Sequence, residues 1–256
     1  MSIVIKDLHK SFGEKQILQG FALDVQDGET LAILGHSGSG KSVTLKHIVG
    51  LLEPDQGEVW VDGQAVTELK TEELYELRRR VGYVFQMAAL FDSMSVAENV
   101  GLGLRRISGM TEDAIQSRVA ECLDLVDLSG FQDRRPSELS GGQRKRVGLA
   151  RAIATKPGYV LYDEPTTGLD PVTKAVIDGL ITKMQKELGV TGVVVTHDMQ
   201  SAYRVSDRIA MLYEGKTRFL GTPKEIQATR DPVVRAFIEG RPELLQEEAT
   251  GAKEES

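Results

Sequence analysis

A single cysteine, Cys122, occurs in 256 residues, so an intrachain disulfide is excluded and a reducing compartment is the natural setting. Long hydrophobic runs are equally scarce. No stretch approaches the ~18 consecutive apolar residues needed to span a bilayer, and the opening MSIVIKDLHKSF has no apolar core of the secretory-leader kind. A chain that does not cross a membrane and stays in the cytoplasm is expected. Excess positive charge is missing too: 31 Lys and Arg against 38 Asp and Glu leave a net charge of -7, which offers no general attraction to nucleic acid or an anionic lipid surface. What is present, at 41% hydrophobic residues, suffices for one large α/β domain or two small ones.

Residues 1–35 alternate short β-rich runs, SIVIKDL, FALDV and TLAIL, with turn signals at Gly13, Gly20 and Asp27-Gly28, which predicts a small β layer. In the middle, TEELYELRRR, SVAENVGLGL and DAIQSRVAECLDLV place apolar residues at helical spacing. They are grouped as a helical insertion between the strands VGYVF and YVLYDEP, about residues 87–158. From residue 159 the order is strand, helix, strand: YVLYDEP, VTKAVIDGLITKMQKEL, GVVVTHD. Near-continuous apolar strands alternating with amphipathic helices predict a parallel sheet covered on both faces. The domain is taken to end near residue 240. Beyond it, RPELLQEEATGAKEES sets five Glu against one Arg and one Lys, a composition that predicts a flexible acidic tail over 241–256.

Residues 35–42, GHSGSGKS, fit G-x-x-x-x-G-K-[ST], follow the apolar run TLAIL and precede the helix-like SVTLKHIVGLL, the context this phosphate-binding loop requires. Gly35, Gly38 and Gly40 let the backbone curl around a β-phosphate, Lys41 reaches the β- and γ-oxygens, and Ser42 ligates Mg²⁺. The metal's shell needs a further carboxylate on a neighbouring strand, and Asp163 ends the run YVLYDEP. Glu164 follows it where adjacent side chains diverge, so it can face an attacking water as general base; standing alone, the pair would also read as a solvated acidic turn. His197 ends GVVVTHD and should reach the same sheet edge, with a hydrogen bond to the γ-phosphate assigned to it, although a lone His is more often structural. Gln86 closes VGYVFQ and is placed to touch Mg²⁺ or the water. Phe12 either stacks on a base or belongs to the core.

A second glycine loop, LSGGQRKRVGLARA at residues 139–152, also feeds a helix, and such helix N-termini bind anions. Its opening LSGGQ lacks the adjacent Lys and hydroxyl of a P-loop that are needed to hold Mg-nucleotide alone. Ser140 and the N–H of Gly142 can nonetheless cap an anion brought from outside. Arg144, Lys145 and Arg146 read as a solvated helix face rather than a nucleic-acid patch, given the acidic chain.

With GHSGSGKS, Gln86, Leu139-Ser140-Gly141-Gly142-Gln143, Asp163-Glu164, Gly168-Leu169-Asp170 and His197 in this order, residues 3–240 resemble the ATP-binding cassette (ABC) transporter ATPases. The resemblance implies an ABC ATPase fold: a P-loop NTPase (RecA-like) core with an antiparallel β subdomain and an inserted helical subdomain. It implies ATP and Mg²⁺, with nucleotide contacts at Phe12, Gly35, His36, Ser37, Gly38, Ser39, Gly40, Lys41, Ser42 and Thr44. Ser42, Gln86 and Asp163 fall to the metal, Glu164, His197 and Gln86 to catalysis, Leu139–Gln143 to the signature motif and Asp170 to the D-loop. In that family the cassettes pair head to tail, and each signature covers the γ-phosphate bound by its partner. The implied partners are a second copy and integral permease subunits on separate chains, at the cytoplasmic face of the inner membrane.

Within the family, FQMAALFDSMSVAENV, RKRVGLARAI, LYDEPTTGLDPVT, THDMQSAYRVSDR and DPVVRAFIEG resemble the cassettes of Mce/Mla-type phospholipid transport, which implies lipid cargo and accessory or Mce-domain partners. Many of those relatives carry Met where this chain has Gln143. Other readings are an importer ATPase for amino acids, metals or another small solute, and a soluble ABC protein of translation or DNA repair. The last group usually joins two cassettes or adds coiled coils or zinc modules, which neither this length nor one Cys fits. A nucleotide-binding regulator without turnover is disfavoured because Glu164 and His197 are both present.

Overall fold

In a computed structural model, residues 2–107 and 109–245 are described, and their strands form two sheets. The first is antiparallel. β1 (Ile3–Phe12) and β2 (Lys15–Val25) make a hairpin, and β2 runs straight through Gly20. The turn expected there is a bulge: pairing passes from Leu8–Phe21 to His9–Gln19 and leaves Gly20, at φ 94°, without an opposite residue. β3 (Thr30–Leu34) then crosses into the second sheet and leads to α1 (Lys41–Ile48). β4 (Gln56–Val61) and β5 (Gln64–Ala65) return to the first, whose order is β2-β1-β4-β5.

α2 (Thr71–Arg79) comes before β6 (Val81–Val84), so its grouping with the helices between VGYVF and YVLYDEP fails. Its Leu77 joins the core shared by β1, β2 and α1, and Arg78 donates to the carbonyls of Val49 at 3.0 Å and Gly50 at 2.9 Å. Chain order already excludes that grouping, because TEELYELRRR at 71–80 precedes VGYVF at 81–85. After β6 come α3 (Val96–Gly101), α4 (Glu112–Leu125) and α5 (Gly141–Ile153). Ser95, Thr111 and Ser140 cap them, each hydroxyl accepting a hydrogen bond from the backbone N–H three residues on.

The rest of the chain completes the second sheet. β7 (Tyr159–Asp163), α6 (Pro171–Leu188), β8 (Thr191–Thr196), α7 (Met199–Val205), β9 (Arg208–Tyr213) and β10 (Lys216–Gly221) are followed by α8 (Pro223–Ala228) and α9 (Pro232–Glu239). Strand order is β10-β9-β3-β8-β7-β6, all pairs parallel except the β10 edge. A buried parallel sheet must bury both faces, and the alternation along each strand does so. Tyr159 and Leu161 of β7 face the core built with α1 and the antiparallel sheet, while Val160 and Tyr162 face α3 to α6. Ala32 and Leu34 of β3 meet a third cluster with α7 to α9. This is the α/β P-loop architecture with its antiparallel and helical subdomains.

The expected tail does not begin at residue 241. Arg241 donates its backbone N–H to Ala236 at 2.9 Å, and Leu244 is 6% exposed. Residues 246–256 lie outside the described residues. No helix among the described residues is long and apolar enough to cross a membrane.

Candidate active site

Register places the site. Leu34 of β3 pairs with Thr196 of β8, Val195 of β8 with Asp163 of β7, and Val84 of β6 with Tyr162 of β7. Parallel strands ending at one level deliver Gly35, His197, Glu164 and Gln86 to one sheet edge, the C-terminal edge where ligands of such sheets bind. Gly38 at φ 77° and Gly40 at φ 109° turn the loop into α1. At Gly40 a Cβ would stand 2.8 Å from Ile17 Cγ2, so the loop's close approach to β2 also requires glycine.

A cleft of about 760 Å³ opens at this edge, lined by Phe12, Ile17, much of the 36–43 loop, Gln86, Glu164, Thr167, His197 and Phe237. Phe12 is 48% exposed, so it is not a core residue. Lys41 is buried: its ammonium donates to the carbonyls of Gly35 at 2.7 Å and His36 at 3.0 Å and lies 3.4 Å from Glu164 Oε1. Burial pushes its pKa down, opposed by the Glu164 and Asp163 carboxylates. Ser42 donates to Asp163 Oδ1 at 2.6 Å, and Tyr83 donates to Asp163 Oδ2 at 3.2 Å. A hydroxyl beside a carboxylate is a hard oxygen pair suited to Mg²⁺, which keeps several waters and arrives with phosphates rather than in a full protein cage. No group of three or more His, Cys, Asp or Glu able to hold a metal occurs among the described residues.

Glu164 sits at φ 48°, a left-handed backbone that costs a non-glycine residue about 1–2 kcal/mol. Its N–H donates to Val195 O at 3.0 Å, which fixes it against β8. Thr167 Oγ1 donates to Glu164 Oε2 at 2.8 Å, and His197 Nδ1 lies 2.8 Å from the same oxygen. His197 precedes α7, whose cap Asp198 accepts from the N–H groups of Gln200 and Ser201 and is held by Lys174 at 2.6 Å.

Not every expected contact converges here. Thr44 is buried, donates to Gly40 O at 3.3 Å and does not line the cleft; buried Ser39 Oγ has no partner among the described residues. None of Leu139–Gln143 lines the cleft either. Ser140 and Gln143 form a reciprocal cap, Gln143 N–H to Ser140 Oγ at 3.2 Å and Ser140 N–H to Gln143 Oε1 at 2.9 Å. A Cβ at Gly142 would stand 2.6 Å from Thr173 Cγ2, so this turn packs on the start of α6. Asp170 caps α6, accepting from Val172 and Thr173 N–H at 3.0 Å.

The solvated basic face fails at two of three positions. Arg144 is exposed, but Lys145 is buried, and Arg146 is half-buried and donates to the carbonyls of Val126 and Asp127. Tyr83, Thr167 and Phe237 were missed. Tyr83 alternates with buried Val84 on β6 and could have been found from strand register. Phe237, a partly buried aromatic on α9, gave no local signal.

A model of the ABC transporter family matches residues 18–167. The chain is similar to a probable ribonucleotide transport ATP-binding protein, mkl, of Mycobacterium leprae (strain TN), 42% identical over 94% of this chain and 70% of the relative. It is similar also to the chloroplastic protein TRIGALACTOSYLDIACYLGLYCEROL 3 of Arabidopsis thaliana, 43% identical over 93% of this chain and 73% of that one. Among solved structures, the dimeric post-hydrolysis state of the ATP-binding cassette MJ0796 bound to ADP and Pi superposes with a TM-score of 0.79 at 36% identity, covering 87% of this chain and 99% of that one.

Behind the loop, α1 carries His47, 1% exposed, with Nδ1 2.8 Å from Val43 O and Nε2 unpartnered among the described residues. Burial pushes its pKa below the ordinary 6.5, opposed by the Val43 and Glu53 carbonyls and by Asp55, with the neighbouring Lys10 adding to the depression. A depressed His pKa favours the neutral folded form, so stability is full above about 6.5 and falls as pH drops toward the folded value. Comparing thermal unfolding at pH 8 and pH 5.5, the wild type should lose more stability than His47→Leu; equal losses would refute this.

Proposed function

Since the chain belongs to the ABC transporter family and is an ATPase, we propose that it works as a head-to-tail dimer in which each Leu139–Gln143 turn closes on the nucleotide held by its partner's P-loop. One observation carries the reading: the cleft gathers the P-loop, Gln86, Glu164 and His197, while the Leu139–Gln143 turn of the same chain stays outside it. The turn is exposed at Ser140 and Gly141, as a group serving a second copy must be.

In this reading Phe12 stacks on the base, and the 35–42 loop cradles the phosphates through its N–H groups. Lys41 exchanges the Glu164 carboxylate for β- and γ-oxygens. Ser42 and Asp163 would hold Mg²⁺, with Gln86 nearby, and the ion would neutralise charge on the phosphates. Glu164 takes the proton of the attacking water, and His197, beside it, donates to the γ-phosphate.

Permease subunits on separate chains would dock where apolar side chains stand exposed beside the cleft: Phe85, Met87 at 85% exposure, and Phe91. Buried Asn99 shapes this stretch by accepting from Phe91 N–H at 2.8 Å and donating to Phe91 O at 3.1 Å. The place proposed is the cytoplasmic face of the inner membrane, held by those subunits. The proposed cargo is phospholipid in an Mce/Mla-type system. That choice rests on the stretches resembling such cassettes and on likeness to a relative named for a glycolipid. Likeness to mkl favours a second reading, a small-solute transporter.

Linked tandem dimers decide the mechanism. In a Glu164→Gln background, where loss of the base should slow hydrolysis ~10²- to 10⁴-fold and leave ATP bound, nucleotide occlusion is counted. With Lys41→Ala on one chain and Ser140→Arg on the other, both lesions share one composite site, and one occluded ATP is expected. With both on one chain, none is expected. The reverse pattern would overturn the trans arrangement, and near-normal hydrolysis by Glu164→Gln would remove the base.

Met87→Glu should lower permease-stimulated ATPase activity and transport while ATP binding by the isolated chain is unchanged; intact coupling would move the docking site elsewhere. Deleting the gene should alter envelope lipid composition or detergent sensitivity. Normal lipids with lost uptake of a small solute would select the second reading.

A further inference from the structure

Lys145, Gly148 and Arg151 of α5 follow at intervals of three and form one ridge, laid against the loop after β6. The Lys145 ammonium donates to the Gln86 carbonyl and, at 3.3 Å, to the Glu164 carbonyl. Arg151 donates to the carbonyls of Ala88 and, at 2.6 Å, Ala89. Between them Gly148 admits Ala88: a Cβ there would stand 3.2 Å from Ala88 Cβ. Ala88 and Ala89 hold φ of 60° and 47°, which alanine avoids when left to itself. The ridge, not local preference, sets this loop.

We propose that Lys145 is a positioning residue: from the helix that opens at Ser140, it fixes the main chains of Gln86 and Glu164, setting the general base relative to the turn that serves the partner's nucleotide. The inference rests on the trans reading above. It makes one side chain of α5 a direct link between the two sites that a single chain serves. A buried ammonium is costly to desolvate, and backbone carbonyls receive it where a carboxylate would leave the loops free. Loss of both donors lets Gln86 and Glu164 drift, and a misplacement of about 1 Å can cost ~10²-fold in rate.

Lys145→Met keeps the stem and removes the donors, while Lys145→Gln and Lys145→Arg return donors. ATPase kinetics are measured in the assembled transporter, with thermal unfolding as the control for folding. For Met the expectation is kcat lowered ~10- to 10²-fold, KM for ATP within about twofold and an unchanged unfolding temperature, with partial recovery in Gln or Arg. In the Glu164→Gln background Lys145→Met should cost little more, because both lesions act through one group. Wild-type kcat in the Met variant, additive losses in the double variant, or a kcat loss matched by lost stability and ATP affinity would each overturn the proposal. Occlusion counts in the linked dimers test the trans reading separately, so the two can fail independently.

Discussion

The constraint on which the site depends is the common ending of three neighbouring parallel strands. β3, β8 and β7 pair in a register that matches Leu34 with Thr196 and Asp163 with Val195, so the strands end within one residue of each other and residues far apart in sequence emerge side by side. Hydrogen bonds of the ladder fix that register, and a one-residue slip would turn every buried side chain to the wrong face. The alternation of Tyr159 and Leu161 against Val160 and Tyr162 prevents the slip, because each pair fills a different core.

Upon this frame the polar groups settle by burial. Lys41, Asp163 and Glu164 are each less than a tenth exposed, and each has a partner at hydrogen-bond or ion-pair distance. Charges so placed are tolerated only when paired. The left-handed backbone at Glu164 is held by the N–H bond to Val195 and by Thr167 on its carboxylate. Strain of this kind persists where surrounding structure over-determines it, and it leaves the carboxylate aimed into the cleft.

Helix α5 shows how one element can serve two ends. Its N-terminus presents the Ser140 cap, and its inner ridge holds the loop that carries Gln86 and the exposed Met87. The exposed stretch proposed for permease docking, the proposed base Glu164 and the turn proposed to serve a second copy therefore rest on one helix. Val147, Leu149 and Ala150 of that helix share one core with Val160 and Tyr162 of β7.

Short motifs were legible in the sequence because their chemistry is local. GHSGSGKS needs only its glycines, lysine and serine at fixed spacing, and the apolar runs before Asp163 and His197 announce strands whose ends carry polar groups. Strand ends of a parallel sheet meet at one edge, so the convergence of Gln86, Asp163, Glu164 and His197 could be argued before any coordinates. Periodicity did not say against which core α2 would pack, that Gly20 would bulge rather than turn, or that Leu244 would be buried beyond the end of α9. Nor could it tell Lys145 from Arg144, adjacent cations of which one is buried and one exposed. Those outcomes are set by which faces meet across long sequence separations. A side chain's burial and its partners there are properties of packed tertiary contacts, which only the assembled fold decides.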